Sequence, residues 1–411
     1  MLYDAYEATN DLLAPSRFAA KMARRFRDEA LDGAKDMPFA RRLFALAEVY
    51  EKAAITHKRP SYGIDSVPCG NRETQVVEEV LMDLPFGDLL HFAKPDVAVP
   101  QPKVLIVAPI SGHFSTLLRN TVETMLCDHD VYITDWKNAR DVPLSAGDFG
   151  LDDYIDYIIT FLQELGDPVA RKGANVLAVC QPCVPVLAAV AIMAGDDDPC
   201  QPRTMTLMGG PIDVRESPTL VNELATTNSY DWFAANMIQT VPWRHPGAGR
   251  RVYPGFLQLT AFMSMNMGRH IDQFRKLYQA LADEETATVT KIESFYDEYF
   301  AVLDLTEEFY LETIDKVFQR ALLAKGELTF RGEPVDCGAI RKTALLTVEG
   351  ERDDICAVGQ TAAAHLLCTS LRPHLKQHHL QPGVGHYGTF SGSKWEKQVY
   401  PQVKNLILAM N

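Results

Sequence analysis

The sequence predicts an α/β fold: a mostly parallel, doubly wound sheet with a helical cap insertion and a helical N-terminal segment. Three observations carry this. Short apolar runs alternate with helix-length stretches between about residues 103 and 208, which is how a parallel sheet covered on both faces reads. The alternation stops over 216–335, which is largely helical with Met-rich and aromatic segments, and resumes afterwards. Between the two, Asn175-Val-Leu-Ala-Val-Cys180-Gln-Pro-Cys183-Val-Pro-Val-Leu joins an apolar strand to a helix through a sharp, cysteine-bearing turn.

Taken in order, residues 12–56 read as helices, with Phe18, Met22 and Phe26 at helical spacing, then Phe39, Leu43, Leu46 and Val49 or Tyr50. Residues 60–72, rich in Pro, Gly, Ser and Cys, read as a connector. Val76–Asp83 and Leu89–Ala93 flank Pro85-Phe-Gly87 as a hairpin. Strands follow at Lys103–Ile110, Asp130–Trp136, Asn175–Val179 and Thr204–Met208, with helices at Thr116–Leu126 and 151–165. After the insertion come a strand at Thr343–Glu349, a helix at Val358–Leu367, a strand at His374–Leu380 and a helix around Lys394–Met410. The organisation is therefore a helical segment 1–72, a first core part 73–215, a cap 216–335 and a second core part 336–411.

Apolar residues make up 47% and charged residues 23% of the 411, a globular composition with enough chain for a large core and one insertion. No run reaches the roughly 18 to 20 apolar residues of a membrane span. No basic region followed by an apolar stretch opens the chain, so no secretory signal is expected. The net charge of −14 argues against nucleic acid as partner. Residues 1–60 hold 11 Lys/Arg against 9 Asp/Glu, leaving −16 for the remainder. The eight cysteines are scattered, which suits reduced thiols in the cytoplasm.

A strand, elbow and helix put a thiol at a helix N-terminus, where the dipole favours a thiolate. With an acid and then a His on later strands, this is the order of an α/β-hydrolase triad. Cys183 is the predicted nucleophile. Its flanks, Gln181 and Pro185, replace the two glycines of the common elbow. Cys180, the competitor, is read as closing the strand. The acid comes from Gly350-Glu-Arg-Asp353-Asp354-Ile355, where the glycine spacing favours Asp353 over Asp354. The base is His386 in Gly383-Val-Gly385-His386-Tyr-Gly388, glycines letting the loop cross the sheet edge. The oxyanion hole is expected to use the backbone N–H of Val184 and a second from Ser111 or Gly112. His113, Phe114, Trp232 and Phe256 are candidate substrate-lining residues.

Other readings compete. Cys180-Gln-Pro-Cys183 is also a Cys-x-Pro-Cys arrangement, as in thiol oxidoreductases. His374, His378 and His379 do not read as a metal site: on a strand only His374 and His378 share a face, and no Cys or carboxylate spacing accompanies them. Neither a Walker loop nor a dinucleotide fingerprint is present. No metal and no cofactor are expected.

The opening Met1-Leu-Tyr-Asp-Ala-Tyr-Glu, the elbow Val-Cys180-Gln-Pro-Cys183-Val-Pro-Val-Leu-Ala-Ala, the loop Gly350–Gln360 and the closing Pro382–Phe390 resemble the bacterial intracellular poly(3-hydroxybutyrate) depolymerases over nearly the whole chain. The resemblance implies a cytoplasmic enzyme associated with polyhydroxybutyrate granules, cleaving amorphous polyester through a cysteine triad that falls on Cys183, Asp353 and His386. It leaves open a homo-oligomer, and coenzyme A as acyl acceptor in place of water. Polyester synthases and CoA-dependent acyl transferases also pass through a thioester. A synthase elbow keeps Gly-x-Cys-x-Gly, which this chain lacks. A non-catalytic granule coat is the remaining alternative.

Overall fold

The computed structural model describes residues 2–29 and 38–411, with side chains from 26 to 38 outside the described set. Its centre is an eight-stranded sheet. In chain order the strands are β1 (Val77–Leu84), β2 (Gly87–Ala93), β3 (Lys103–Val107), β4 (Asp130–Trp136), β5 (Asn175–Val179), β6 (Thr204–Met208), β7 (Ala344–Gly350) and β8 (Lys376–Gln381). They lie side by side as β8-β7-β6-β5-β3-β4-β2-β1. Only β2 runs against its neighbours β1 and β4; the other pairs are parallel. This is the strand order of the α/β-hydrolase fold. Every residue of β5, β6 and β7 is buried, because helices cover both faces. That explains why these strands read as unbroken apolar runs. The edge strand β1 is mostly exposed and carries Glu78 and Glu79, charges that discourage pairing with another chain.

The helices used below are α1 (Leu2–Glu29), α2 (Pro38–Lys52), α3 (Arg119–Leu126), α4 (Leu151–Leu165), α5 (Cys183–Gly195), α6 (Leu220–Thr227), α7 (Tyr230–Asn236), α8 (Gly255–Met265), α9 (Met267–Ala282), α10 (Thr286–Tyr299) and α11 (Glu307–Glu312), with α12 (Tyr400–Met410) closing the chain. α5 is apolar on nearly all sides and buried from Cys183 to Ala191, as a helix packed inside an α/β core must be. The stretch 216–335 holds α6 to α11 and a small antiparallel sheet of Gln239–Thr240, Arg251–Tyr253 and Leu305–Thr306. It is not one separate layer. Leu305, Phe309, Leu322 and Leu328 join the main core. Leu259, Leu277, Ile292, Tyr296, Tyr299 and Phe300 form their own cluster, against which Val49 of α2 packs.

Two local expectations need correction. The connector 60–72 contains half of a hairpin, Ser66–Cys69 with Arg72–Gln75. The helix expected over 358–367 is helical only at Ala364–Leu367. The reason is Glu349, a fully buried carboxylate that accepts the N–H groups of Gly359, Thr361 and Ala362 and shapes that segment into a turn. In α1 and α2 the periodic apolar residues face outward: Phe18, Phe39, Leu43 and Leu46 are 63%, 80%, 55% and 58% exposed. Among their described side chains, the buried positions are Tyr3, Ala20, Ala45 and Glu48. Phe26 lies among the side chains outside the described set.

The start of α1 is anchored by polar and aromatic contacts. Tyr3 Oη donates to Asp304 Oδ2 at 2.5 Å, and Tyr6 Oη pairs with His57 Nε2 at 2.9 Å. Phe256 is sandwiched there, stacked on the Tyr6 ring at 4.0 Å and edge-on to Tyr3. Burial pushes the Asp304 carboxyl up to about 6 and His57 down to about 3. Asp304 also accepts Gly255 N, while the neighbouring Leu303 N donates to Gly112 O at 3.0 Å. The N-terminal helix is thereby tied to the loop that follows β3.

Candidate active site

The elbow forms where β5 ends and α5 begins. Cys180 has φ +68, one of few non-glycine residues on the left-handed side. Such a backbone costs of order 1–3 kcal/mol and persists only where its surroundings impose it. Here they do: Cys180 N donates to Met208 O at 2.7 Å, and Cys183 N returns to Cys180 O at 3.1 Å. Two residues before Cys180 stands Ala178 and two after stands Pro182, both buried. Cys180 itself is half-buried.

Cys183 sits elsewhere. As the first residue of α5 it has no exposed surface. Its Sγ points back at the carbonyls of Ala178 and Met208, at 3.6 and 3.7 Å. Burial drives its thiol well above the usual range, so it stays protonated. The reading of Cys183 as the poised sulfur is therefore corrected: it is sealed in the core, and the thiol facing His386 is that of Cys180. Val184, expected to follow the nucleophile, is buried inside α5; the residue after Cys180 is Gln181.

His386 opens a short 3-10 turn beyond β8. Its Nδ1–H donates to Asp353 Oδ2 at 2.7 Å. Asp353 Oδ1 accepts the N–H groups of Ile355 and Cys356 at 2.9 and 2.8 Å, which fixes the carboxylate. The two loops are stitched together: Arg352 N donates to Val384 O, and Gly383 N to Glu351 Oε2. Burial opposes the charged form of the His386 ring. The Asp353 charge and the Cys180 sulfur outweigh it, and the imidazole is held well above its ordinary value. Asp354 is exposed and meets Asn266 instead, so the acid in contact with His386 is Asp353. Gly209, at φ +56, leaves the room this pair needs: a methyl there would stand 3.3 Å from His386 Cε1 and 3.4 Å from Asp353 Oδ2.

The loop after β3 lies beside the elbow. Ala108 O takes hydrogen bonds from Trp136 Nε1 and Tyr154 Oη, and Ala108 N donates to Thr134 Oγ1. The next available N–H, Ile110's, donates to Gln181 Oε1 at 3.3 Å. Ser111 is half-buried next to it. Gly112, at φ +90, is covered by Gln258. His113 is buried, pairs through Nε2 with Tyr299 O at 3.1 Å, and burial lowers it to about 4. Phe114 is buried and lines a cleft with Trp136 and Asp135. Phe256 is buried and packs between Tyr3 and Tyr6. Trp232 is 38% exposed on α7, edge-on to Phe233.

The sequence reading named Cys180 only as the competitor and Gln181 only as a flank of the elbow, and did not single out Ile110. The signal for them is the run Ala178-Val-Cys180-Gln-Pro182, a small residue two before the cysteine at the end of the strand. Among the described residues no group of three or more His, Cys, Asp or Glu side chains could hold a metal ion. His378 pairs with Thr347, and His379 with Gln381. No helix among them is long and apolar enough to cross a membrane.

A family model described as PHB de-polymerase C-terminus matches residues 209–411, the half that carries Asp353 and His386. No curated protein matches the chain. Similar solved structures include the lip1 protein from Acinetobacter baumannii AYE (11% identity over 81% of this chain and 93% of that one, TM-score 0.43). Others are the hypothetical protein PA2218 from Pseudomonas aeruginosa (12%, 87% and 99%, 0.47) and a meta-cleavage product hydrolase from Pseudomonas fluorescens IP01 (16%, 82% and 99%, 0.44).

Proposed function

We propose that this chain, whose residues 209–411 belong to the PHB depolymerase family, hydrolyses the ester bonds of amorphous poly(3-hydroxybutyrate) through a thioester on Cys180. One observation carries the reading: the half-buried Cys180 sulfur, lifted off the sheet by a positive φ, faces an imidazole whose other nitrogen is held by buried Asp353.

His386 takes the thiol proton, or holds it already as part of an ion pair. The Cys180 sulfur attacks an ester carbonyl of the polymer, forming a carbon–sulfur bond while the carbonyl oxygen takes the negative charge. The Gln181 N–H is the first donor to that oxygen, and the loop after β3 supplies the second. Collapse expels the 3-hydroxyl end of the chain, which His386 protonates. Water, losing a proton to His386, then attacks the thioester and restores the thiol. Asp353 keeps the proton on Nδ1 and stabilises the charged ring. In this reading the protein works in the cytoplasm at the granule surface, and coenzyme A is an alternative acceptor at the second step.

The test uses native amorphous granules with the wild-type protein, Cys180→Ser and Cys183→Ser, with and without coenzyme A. Release of soluble 3-hydroxy acids by wild type and Cys183→Ser, and not by Cys180→Ser, supports the proposal. Release of 3-hydroxybutyryl-CoA only in the presence of coenzyme A replaces hydrolysis by acyl transfer. Granule binding with no turnover by any variant removes the enzymatic reading.

A further inference from the structure

The bond between Ile110 N and Gln181 Oε1 has no part in the mechanism above. Nucleophilic sites of this fold draw one oxyanion donor from the residue after the nucleophile and one from the loop after β3. With Cys180 at the elbow, Gln181 is the first. Its backbone N–H has no acceptor among the described residues. In the loop, Ala108 N is spent on Thr134 and Pro109 has no N–H. Ile110 N is therefore the first candidate for the second donor. The structure shows it bonded to an amide oxygen.

A primary-amide oxygen and an ester carbonyl oxygen are alike in shape and in the direction of their lone pairs. We propose that the Gln181 side chain is the resting occupant of the oxyanion pocket, an internal carbonyl that the substrate's carbonyl displaces. This rests on Cys180 as the attacking sulfur. Without an occupant, Ile110 N–H would be a buried donor with no partner, which is costly. The bond is long at 3.3 Å, toward the weak end of the range. Gln181 is half-buried, so its amide can turn to water as the ester enters. Displacing a neutral bond of this kind costs about threefold to tenfold in apparent affinity. The device keeps the pocket formed between turnovers.

The test compares wild type, Gln181→Ala and Gln181→Glu on p-nitrophenyl butyrate, with thermal melts to confirm folding. Removing the occupant should raise kcat/KM about threefold to tenfold through a lower KM. The glutamate oxygen carries charge and is harder to displace, so Gln181→Glu should lose kcat/KM at neutral pH and regain part of it as the pH falls and the carboxylate is protonated. A fall in kcat for Gln181→Ala with KM unmoved would make the side chain a loop clamp and overturn the proposal, as would no change.

A second arm uses an alkyl trifluoromethyl ketone. The Cys180 sulfur adds to its carbonyl carbon, the oxygen becomes an alkoxide and the thiol proton passes to His386. In the crystal structure of that adduct, the alkoxide should accept from Ile110 N and Gln181 N, with the Gln181 side chain turned away. A side chain still on Ile110 overturns the proposal. Addition at another cysteine, with none at Cys180, sinks the nucleophile assignment instead.

Discussion

A methyl group on Gly210 would stand 2.1 Å from Cβ of Cys183 and 2.2 Å from its sulfur. The exit of β6 thus lies directly on the first turn of α5. Thr361 holds it there, its Oγ1 bonded to both Gly210 N and Gly210 O. This closeness seals the Cys183 thiol and leaves Cys180 as the elbow's accessible sulfur. Gly210→Ala should destabilise the fold by about 3 kcal/mol or more, as overpacking against backbone does. Cys183→Gly in the same chain should recover part of the loss. Urea unfolding of the two single variants and the double variant measures the coupling.

Swapping the two cysteines separates chemistry from packing. Cys180→Ala should lower kcat by at least about a thousandfold, since members of a catalytic unit fail together. Cys183→Ala should keep most of the activity and cost roughly 1 to 2 kcal/mol of stability for the lost buried sulfur. Ester hydrolysis rates and denaturation midpoints on matched samples check both.

Asp353→Asn should remove the charge that keeps the His386 imidazolium, so the ring's titration moves to lower pH. The activity should fall by about a hundredfold or more. Asp354→Asn, an exposed change, should do neither. Imidazole proton shifts followed by NMR across pH, with kcat measured in parallel, decide the assignment.

The sheet was legible because strands buried on both faces read as plain apolar runs; Asp130–Trp136, Asn175–Val179 and Thr204–Met208 match the observed strands end to end. The contact between Asp353 and His386 agrees with the pair chosen from glycine spacing in two loops. The cysteine was harder. Both thiols sit at one turn, and which of them faces outward depends on a backbone angle at Cys180 that composition does not display. Periodicity revealed the helices α1 and α2 but not which face is outward: it shows an apolar stripe, and burial depends on what the rest of the fold sets against it.

That face gives a stability prediction. Phe39→Glu and Leu43→Gln, at side chains 80% and 55% exposed, should each shift folding free energy by less than about 0.5 kcal/mol. Core residues would lose several times more on such a change. Chemical denaturation of the single variants is the check.

Asp304 gives a pH prediction. Its folded carboxyl lies at about 6 against an ordinary 3.8. A raised value means the protonated form is the one the fold favours. The contribution is whole below pH 3.8 and lost as the pH rises through about 6, a change on the order of 3 kcal/mol. Asp304→Asn cannot ionise, so it should be more destabilising, relative to wild type, at pH 4 than at pH 8. His57 is present in both chains, and its own titration cancels to first order in the difference. Urea midpoints at the two pH values give the sign.

Tyr3 finds its acceptor 301 residues later in the chain. During synthesis at about 5 to 20 residues per second, the opening tyrosine waits roughly 15 to 60 seconds before Asp304 exists. Through that interval α1 can already meet α2 and His57, made soon after it, while the Tyr3 hydroxyl still lacks its acceptor. A chain released before Asp304 is made would lack the bond that fastens Tyr3.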